Sequence, residues 1–544
     1  MSKLPAASRQ ETQVSPWAPF EHRPFAVMWA AMVISSMGTW MNDVGSGWLM
    51  THLAPDPLMV ALVQAATTLP VFLFALPAGA VADIVDRRKV LFVANVLMAA
   101  TAGTLAILVG LGRMTSELLL LFTFLLGTGA AFIAPAWQAV VPQLVPQPKL
   151  GAAIALNSMG MNVSRAIGPA LAGLLIVAWG LALPFAVNAV SFLAIVAALA
   201  WWRPAPDRGS SLPTERVGEA VVNGLRYTLH SAPLRATLVR AAAFFLFASA
   251  YWALLPVIAK TSLAGDARLY GVLLGCVGVG AVLGALVLPG LRRRLGADLV
   301  VAVGTLGSAL VLMAFALLSD PYAAAAASLL AGASWIAALS SLMVSAQTAL
   351  PNWVRARGLS VFLTVFFGAM ALGAVVWGKV ASTWGIPVAL VFAAIGAVLA
   401  IPLTWRAKLG QGEGLDLAPS LHWPEPVVLL DAAHDRGPVL VTVEYQIDAA
   451  DADRFLSVMC ELGEARRRMG AVQWGVSEDA ALPGRYIEYF FEGSWLAHLR
   501  HHERVTGADR VLQERALALH RGDSPPQVRH LLAPRWAGKR GVAG

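Results

Sequence analysis

The chain has 544 residues, of which 58% are apolar and 13% charged, with a mean hydropathy of +0.66 and a formal net charge of +8. Soluble domains carry about 25% charged residues, so the composition excludes an ordinary soluble globule and calls for an integral membrane protein. Residues 1–410 hold 25 basic against 13 acidic residues and residues 411–544 hold 15 against 19. The basic excess therefore belongs to the apolar part and reads as a topology signal rather than as a nucleic-acid surface.

Residues 1–23 are polar, lack the apolar centre of a signal peptide, and read as a cytoplasmic lead-in. A membrane-spanning helix needs about 20 mainly apolar residues. Twelve such runs follow, near 25–50, 58–81, 90–112, 117–141, 152–178, 183–202, 237–260, 269–291, 299–318, 321–346, 357–382 and 386–406. The connections after spans 2, 4, 6, 8 and 10 carry 14 basic residues, among them Arg87, Arg88, Lys89 and the Arg292–Arg294 triplet. The opposite connections carry three, Arg113, Lys260 and Arg268. The positive-inside rule then puts both termini in the cytoplasm of a multi-pass protein of the inner (plasma) membrane. Cys276 and Cys460 lie in segments of opposite character and suggest neither a disulfide nor a metal site; no cofactor or metal is expected.

The chain repeats itself. "WQAVVPQLVP" (137–146) aligns without gaps on "AQTALPNWVR" (346–355), and the spacing from Gly79 to Arg87–Lys89 recurs from Gly284 to Arg292–Arg294. Six spans per repeat, each block entering from the cytoplasm, give two parallel halves, 24–203 and 236–408, joined by a long polar loop, 204–235. Transporters built this way hold substrate between the halves near the midplane. The expected fold is an all-α membrane protein of twelve helices, followed after a linker (409–437) by an α+β ferredoxin-like domain (438–535).

Two motifs stand out. In "GAVADIVDRRKVL" (79–91), Gly79 suits a close approach of two helices, while Arg87 and Arg88 can pair with Asp83 or with a neighbouring helix C-terminus. That is a cytoplasmic clasp made in one conformation and broken in another; a stop-transfer cluster would look the same. In "NVSRAIGPALAG" (162–173), Gly168, Pro169 and Gly173 thin one face of span 5 and remove a backbone donor, which permits close packing or a kink. Arg165 inside the same span costs at least roughly 2.5–3.5 kcal/mol unless it meets a cavity or a partner.

The first motif resembles the loop 2–3 signature of the major facilitator superfamily, with departures at Ile84 and Asp86. The second resembles the fifth-helix glycine-proline motif of that superfamily's proton-coupled exporters. The Asp86-Arg87-Arg88 form, with "APAWQAVVPQLVP" (134–146), is similar to the branch containing the enterobactin exporter and the transmembrane secretion effectors. The resemblance covers about residues 20–410 and implies secondary active export of a small molecule, siderophore-like, drug-like or otherwise fairly apolar, coupled to protons. It also implies that helices 1 and 5 line one cavity. Asp43, the only acid well inside an apolar span of the first half, then either pairs with Arg165 or competes with it for substrate and proton. Their depths differ by roughly 7–8 Å at 1.5 Å per residue, within reach of an arginine. Asn42, Gln64, Gln138, Asn157, Asn162, Tyr251 and Gln347 are further polar candidates for the pathway, or else helix–helix hydrogen bonds. Trp40, Trp137 and Trp252 suit stacking on a substrate, or ordinary packing.

The tail alternates differently. "VLVTVEYQI" (439–447), "AVQWGVSED" (471–479), "GRYIEYFFEGSW" (484–495) and "QVRHLL" (527–532) read as strands. Segments 451–470, 494–505 and 509–520 read as helices. The βαββαβ order is ferredoxin-like and resembles the dimeric α+β barrels of the antibiotic-biosynthesis monooxygenase type, which implies a homodimer and leaves enzymatic, sensing and structural roles open. Aromatic residues on both faces of "YIEYFF" also favour a partner sheet. His498, His501 and His502 share a helix face, which suits a ligand set or polar packing.

Overall fold

The computed structural model describes residues 15–203, 217–420, 422–423 and 436–533. The helices are α1 (Arg23–Leu53), α2 (Pro57–Ile84), α3 (Arg87–Gly110), α4 (Ser116–Val140), α5 (Leu150–Trp179), α6 (Ala182–Trp201), α7 (Val217–His230), α8 (Ala232–Val257), α9 (Ala267–Leu317), α10 (Pro321–Thr348), α11 (Arg355–Trp384) and α12 (Ile386–Thr404). The tail follows as β1 (Val439–Gln446), α13 (Ala452–Met469), β2 (Gln473–Glu478), β3 (Arg485–Glu492), α14 (Trp495–Arg504), α15 (Gly507–Leu517) and β4 (Gln527–Leu532). The chain forms two compact units. The first holds α1–α6 with Ala241–Ser341 and Leu363–Arg406; the second holds α7, α8 up to Arg240, Leu342–Phe362 and the chain from Ala407.

In the first unit, composition dictates the elements: the apolar runs become helices because only internal hydrogen bonding satisfies a backbone in hydrocarbon. Among the described residues, eleven helices are long and apolar enough to cross a membrane. The expected spans 8 and 9 are joined in α9, whose 51 residues would run about 77 Å, far beyond a hydrocarbon core of about 30 Å. The joint is Gly296, with φ 75° and ψ 171°, a backbone region that favours glycine, just after Arg292–Arg294. This break divides α9 into two crossings and recovers the twelve read from sequence.

Helix starts follow local chemistry. Asp56, Thr115 and Asp266 accept from the backbone N–H of Leu58, Leu118 and Leu269, capping α2, α4 and α9. Asp86 caps α3, its Oδ1 accepting from Arg88 N at 2.9 Å and Lys89 N at 3.4 Å. The departure from the family signature at this position is thus a helix start.

The second unit corrects the reading of 204–235 as a polar loop. Residues 204–216 lie outside the described residues, but 217–230 form α7. Gly224, Tyr227 and Thr228, at i, i+3 and i+4, are buried. Arg226 Nη1 donates to Gly470 O at 2.8 Å, and His230 Nδ1 meets Glu464 Oε2 at 2.9 Å. The following linker is partly fixed too: Gly410 N donates to Ser345 Oγ at 3.1 Å and Ser420 N to Val505 O at 2.8 Å, whereas 424–435 lie outside the described residues.

The tail sheet has the order β2-β3-β1-β4, all antiparallel, as a ferredoxin-like βαββαβ chain requires. Val443, Tyr445 and Tyr486 pack under α13 with Phe455, Val458 and Leu462. On the other sheet face Leu440, Ile487, Tyr489 and Phe491 are only half-buried and Leu531 is exposed. Inside the helix-covered face, Arg466 Nε donates to Glu488 Oε1 at 3.0 Å, which also accepts from Trp474 Nε1 at 3.0 Å. Both charged partners are buried and hydrogen-bonded to each other, as a buried ion pair requires.

Candidate functional site

The helix-packing motif works by close approach. A Cβ on Gly168 would come 2.8 Å from Trp40 Cβ on α1, and one on Gly173 would come 2.6 Å from Ala267 O on α9. Glycines of α9 answer from the other side: a Cβ on Gly271 would lie 2.5 Å from Pro169 O, and one on Gly278 would lie 2.6 Å from Ala166 Cα. Small residues thus bring α5, from the first half, backbone-to-backbone against α9, from the second. This contact fixes where Arg165 emerges, because its carbonyl lies 3.0 Å from the same Gly278 position.

Between the halves lies a cavity of about 260 Å³. Its first half supplies most of the polar lining, Asp43 of α1, Gln64, Thr67 and Thr68 of α2, and Arg165 of α5, beside Trp40, Val60 and Val63. Its second-half wall is aromatic: Trp252 of α8, Tyr270 of α9, Trp335 of α10, and Phe366 and Phe367 of α11. Trp252 meets Trp335 edge-on at 5.2 Å, and Phe366 meets Phe367 at 4.5 Å. Gly47, one turn beyond Asp43, makes room for this wall, since a Cβ there would sit 3.0 Å from the Tyr270 hydroxyl.

Asp43 and Arg165 are the only charged side chains among the described lining residues, as their isolation in apolar spans suggested. They do not form the ion pair that was the alternative: the Arg165 guanidinium instead lies over the Trp40 ring, 5.5 Å from its centroid. Both charges thus face the cavity separately.

The other expected residues divide. Gln64, Trp40 and Trp252 line the cavity. Asn42 and Tyr251 are buried outside its lining; Asn42 Oδ1, Tyr251 Oη and Trp252 Nε1 have no hydrogen-bond partner among the described residues. Trp137 Nε1 donates to Asn157 Oδ1 at 3.1 Å, a packing bond rather than a stacking platform. Gln138, Asn162 and Gln347 are exposed and absent from the lining; Asn162 Nδ2 donates to Ser158 O of its own helix. Tyr270, Trp335, Phe366 and Phe367 were missed, because aromatic residues in apolar spans carry no signal until their neighbours are known.

At the clasp, Arg88 binds a helix end. Its Nε donates to Leu199 O at 2.8 Å and its Nη2 to Ala200 O at 3.1 Å, carbonyls of the last turn of α6. Gly79 does not serve the close approach expected of it, since a Cβ there would meet nothing within 4 Å. Arg87 is half-buried; Asp83 lies in the last turn of α2, with its side chain outside the described residues.

In the tail, the expected trio separates. His498 Nδ1 and His501 Nδ1 both meet the buried Glu492 carboxylate, the former at 2.8 Å. Burial opposes ionisation of Glu492, yet His501 and His498 hold its carboxyl well below the usual range. His502 points instead toward His498 and His530 of β4. Burial, reinforced by neighbouring histidines, pushes His502 down to about 3 and His530 down to about 4.

Known proteins share this architecture. The model of the family described as "Transmembrane secretion effector" matches residues 14–537, the tail included. The multidrug efflux pump Tap of Mycolicibacterium fortuitum is 26% identical over 377 residues, 67% of this chain and 90% of that pump. The enterobactin exporter EntS of Salmonella choleraesuis is 27% identical over 365 residues, 66% of this chain and 85% of EntS. The staphyloferrin A transporter of Staphylococcus aureus is 22% identical over 268 residues, 48% of this chain, which spans just under two thirds, 65%, of that transporter. Among solved structures, a bacterial homologue of the lysosomal transporter Spinster superposes with a TM-score of 0.56 at 15% identity, covering 72% of this chain and 97% of that one. The nucleoside transporter NupG superposes with 0.54 at 13%, covering 71% and 98%. With twelve crossings in two halves, a cavity between them and a family match over nearly the whole chain, this protein belongs to the transmembrane secretion effector family of major facilitator transporters.

Proposed function

We propose that the chain exports a small, largely apolar compound bearing one polar or ionisable group, in exchange for protons, by alternating access. The observation that carries the reading is the two-sided cavity, with two unpaired charges opposite an aromatic wall. The aromatic wall suits a planar or bulky apolar body; Arg165 suits an anionic or polar end, and Asp43 suits a proton or a cationic end. The relatives named for siderophore and drug transport favour the same class of compound. The loop charges favour a plasma-membrane placement with both termini cytoplasmic. In everted membrane vesicles, an imposed inside-acid gradient is expected to drive accumulation of an enterobactin or apolar drug probe, and an uncoupler to stop it. Accumulation that ignores the uncoupler would overturn proton exchange.

Asp83, Arg87 and Arg88 form the cytoplasmic clasp in this reading, with Arg88 on the α6 carbonyls as its described part. In the same vesicles Asp83→Asn is expected to slow turnover while leaving half-saturation unchanged. A changed half-saturation at normal turnover would move Asp83 into the binding site.

The tail serves in this reading as a dimerising, ligand-handling module rather than as an independent enzyme. The half-buried Leu440, Ile487, Tyr489 and Phe491 on the face away from α13 favour a second sheet as cover. The full chain in detergent is expected to have the protein mass of a dimer, and Phe491→Glu that of a monomer. A monomeric parent would contradict the paired tail.

A further inference from the structure

We infer that the tail carries a transition-metal site built by His498, His502 and His530, with Glu492 orienting the first of them. His498 and His502 stand at i and i+4 on α14, a spacing that turns two imidazoles to one side of a helix and serves zinc in other helical sites. His530 comes from β4, and one ring nitrogen from each of the three lies within 4.8 Å of the others.

The Glu492 contact arranges His498 for ligation. His498 Nδ1 is engaged by Glu492 Oε2 at 2.8 Å, which directs the His498 Nε2 lone pair outward. Metal-bound histidines are usually held in this way by a carboxylate on the other ring nitrogen. The freed Nε2 faces His502 Nε2 at 3.1 Å. Two nitrogens bound to one tetrahedral ion with bonds of about 2.0–2.1 Å stand about 3.3 Å apart, so this pair is already near ligating separation. His498 is fully buried and the other two half-buried, so an ion is shielded on one side and reachable on the other. His501, the third histidine of the helix, also meets Glu492 through Nδ1 but is not one of the three whose ring nitrogens converge.

Three imidazoles and no thiolate select a borderline divalent ion, Zn2+, Co2+, Ni2+ or Cu2+, over Mg2+ or Ca2+. The fourth position is left for water or an exogenous group. A bound ion would tie β4, the edge strand, to α14.

The test uses the full chain in detergent, freed of any polyhistidine tag and stripped with a chelator. Zn2+ is titrated in competition with a chromophoric indicator, and Co2+ is followed by its visible d–d bands. One ion per chain is expected, with Co2+ bands of tetrahedral intensity that Zn2+ abolishes. His502→Ala and His530→Ala are expected to weaken binding at least about 100-fold, and Glu492→Gln by roughly 10–100-fold, the usual worth of an outer partner. His520→Ala, outside the cluster, should bind as the parent does. His502 and His530 are half-buried, so their variants should keep the melting temperature of the stripped parent, which separates a lost ligand from a lost fold. A parent that binds Zn2+ no more tightly than the His502→Ala/His530→Ala double variant would overturn the site.

Discussion

Asp43→Asn is expected to abolish pH-driven accumulation while leaving substrate counterflow intact. Asp43 is the only acid among the described cavity-lining residues, and no arginine neutralises it as a fixed ion pair. Asparagine keeps its shape and a hydrogen-bonding oxygen but carries no exchangeable charge. A protonation change worth 1.36 kcal/mol per pH unit allows roughly tenfold accumulation for one proton exchanged across a one-unit gradient. The variant should fall to no accumulation, since the gradient can no longer do work on the substrate. Counterflow needs only binding and the conformational change, so it should continue within about a factor of two or three, the ordinary scatter of an isosteric change. Loss of counterflow together with accumulation would make Asp43 a binding or structural residue instead of the coupling one.

The second large effect is expected at the α5–α9 contact. Gly278→Leu places a branched side chain where a single Cβ would already be 2.6 Å from Ala166 Cα and 3.0 Å from Arg165 O. The obstacle is backbone, which cannot rotate away as a side chain can, so the two helices must part. Overpacking of this kind costs about 1–3 kcal/mol, which lowers the population of the close-packed conformation by about 5- to 150-fold. Transport by the proposed alternating access should fall in that proportion, with membrane expression retained. Gly79→Ala gives the contrast: its Cβ meets nothing within 4 Å, and transport should change little. Equal activity of the two variants would show that the α5–α9 approach is not part of the transport cycle.

The fold was legible where one physical rule dominates. Long apolar runs must be helices in hydrocarbon, and the tail's strands alternate with period two beside helices of mixed polarity. Span 8 and span 9 were readable separately because Arg292–Arg294 interrupts the hydrophobicity, although the helix is broken only at Gly296. Element α7 was hidden because its described buried residues, Gly224, Tyr227 and Thr228, are small or polar enough to pass for a loop.

The site was legible only through its charges. Asp43 and Arg165 stand out because a charge in an apolar span has to be accounted for, and both do face the cavity. Their relationship was not readable: the spacing along the two helices allowed a pair, and the side chain lies over Trp40 instead. The aromatic wall gives no sequence signal, since Phe366 or Trp335 would look the same facing lipid. Gly79 shows the opposite error, in which a motif position suggested a contact that the packing does not contain. His530 lies 28 positions beyond His502 in the sequence, and only the sheet register, which sets it opposite Val441, brings it to α14.

Proton release on substrate binding tests the central claim most directly. The purified chain is placed in weakly buffered detergent solution, the exported compound identified in vesicles is added, and the pH change is followed. If substrate and proton compete within the one cavity, linkage requires release of up to about one proton per substrate bound near neutral pH, and a reciprocal loss of affinity as the pH falls. Asp43→Asn should bind the compound with no release and with an affinity independent of pH. Equal release from the parent and from Asp43→Asn, or binding to the parent with no release at any pH, would contradict a proton-coupled site at Asp43.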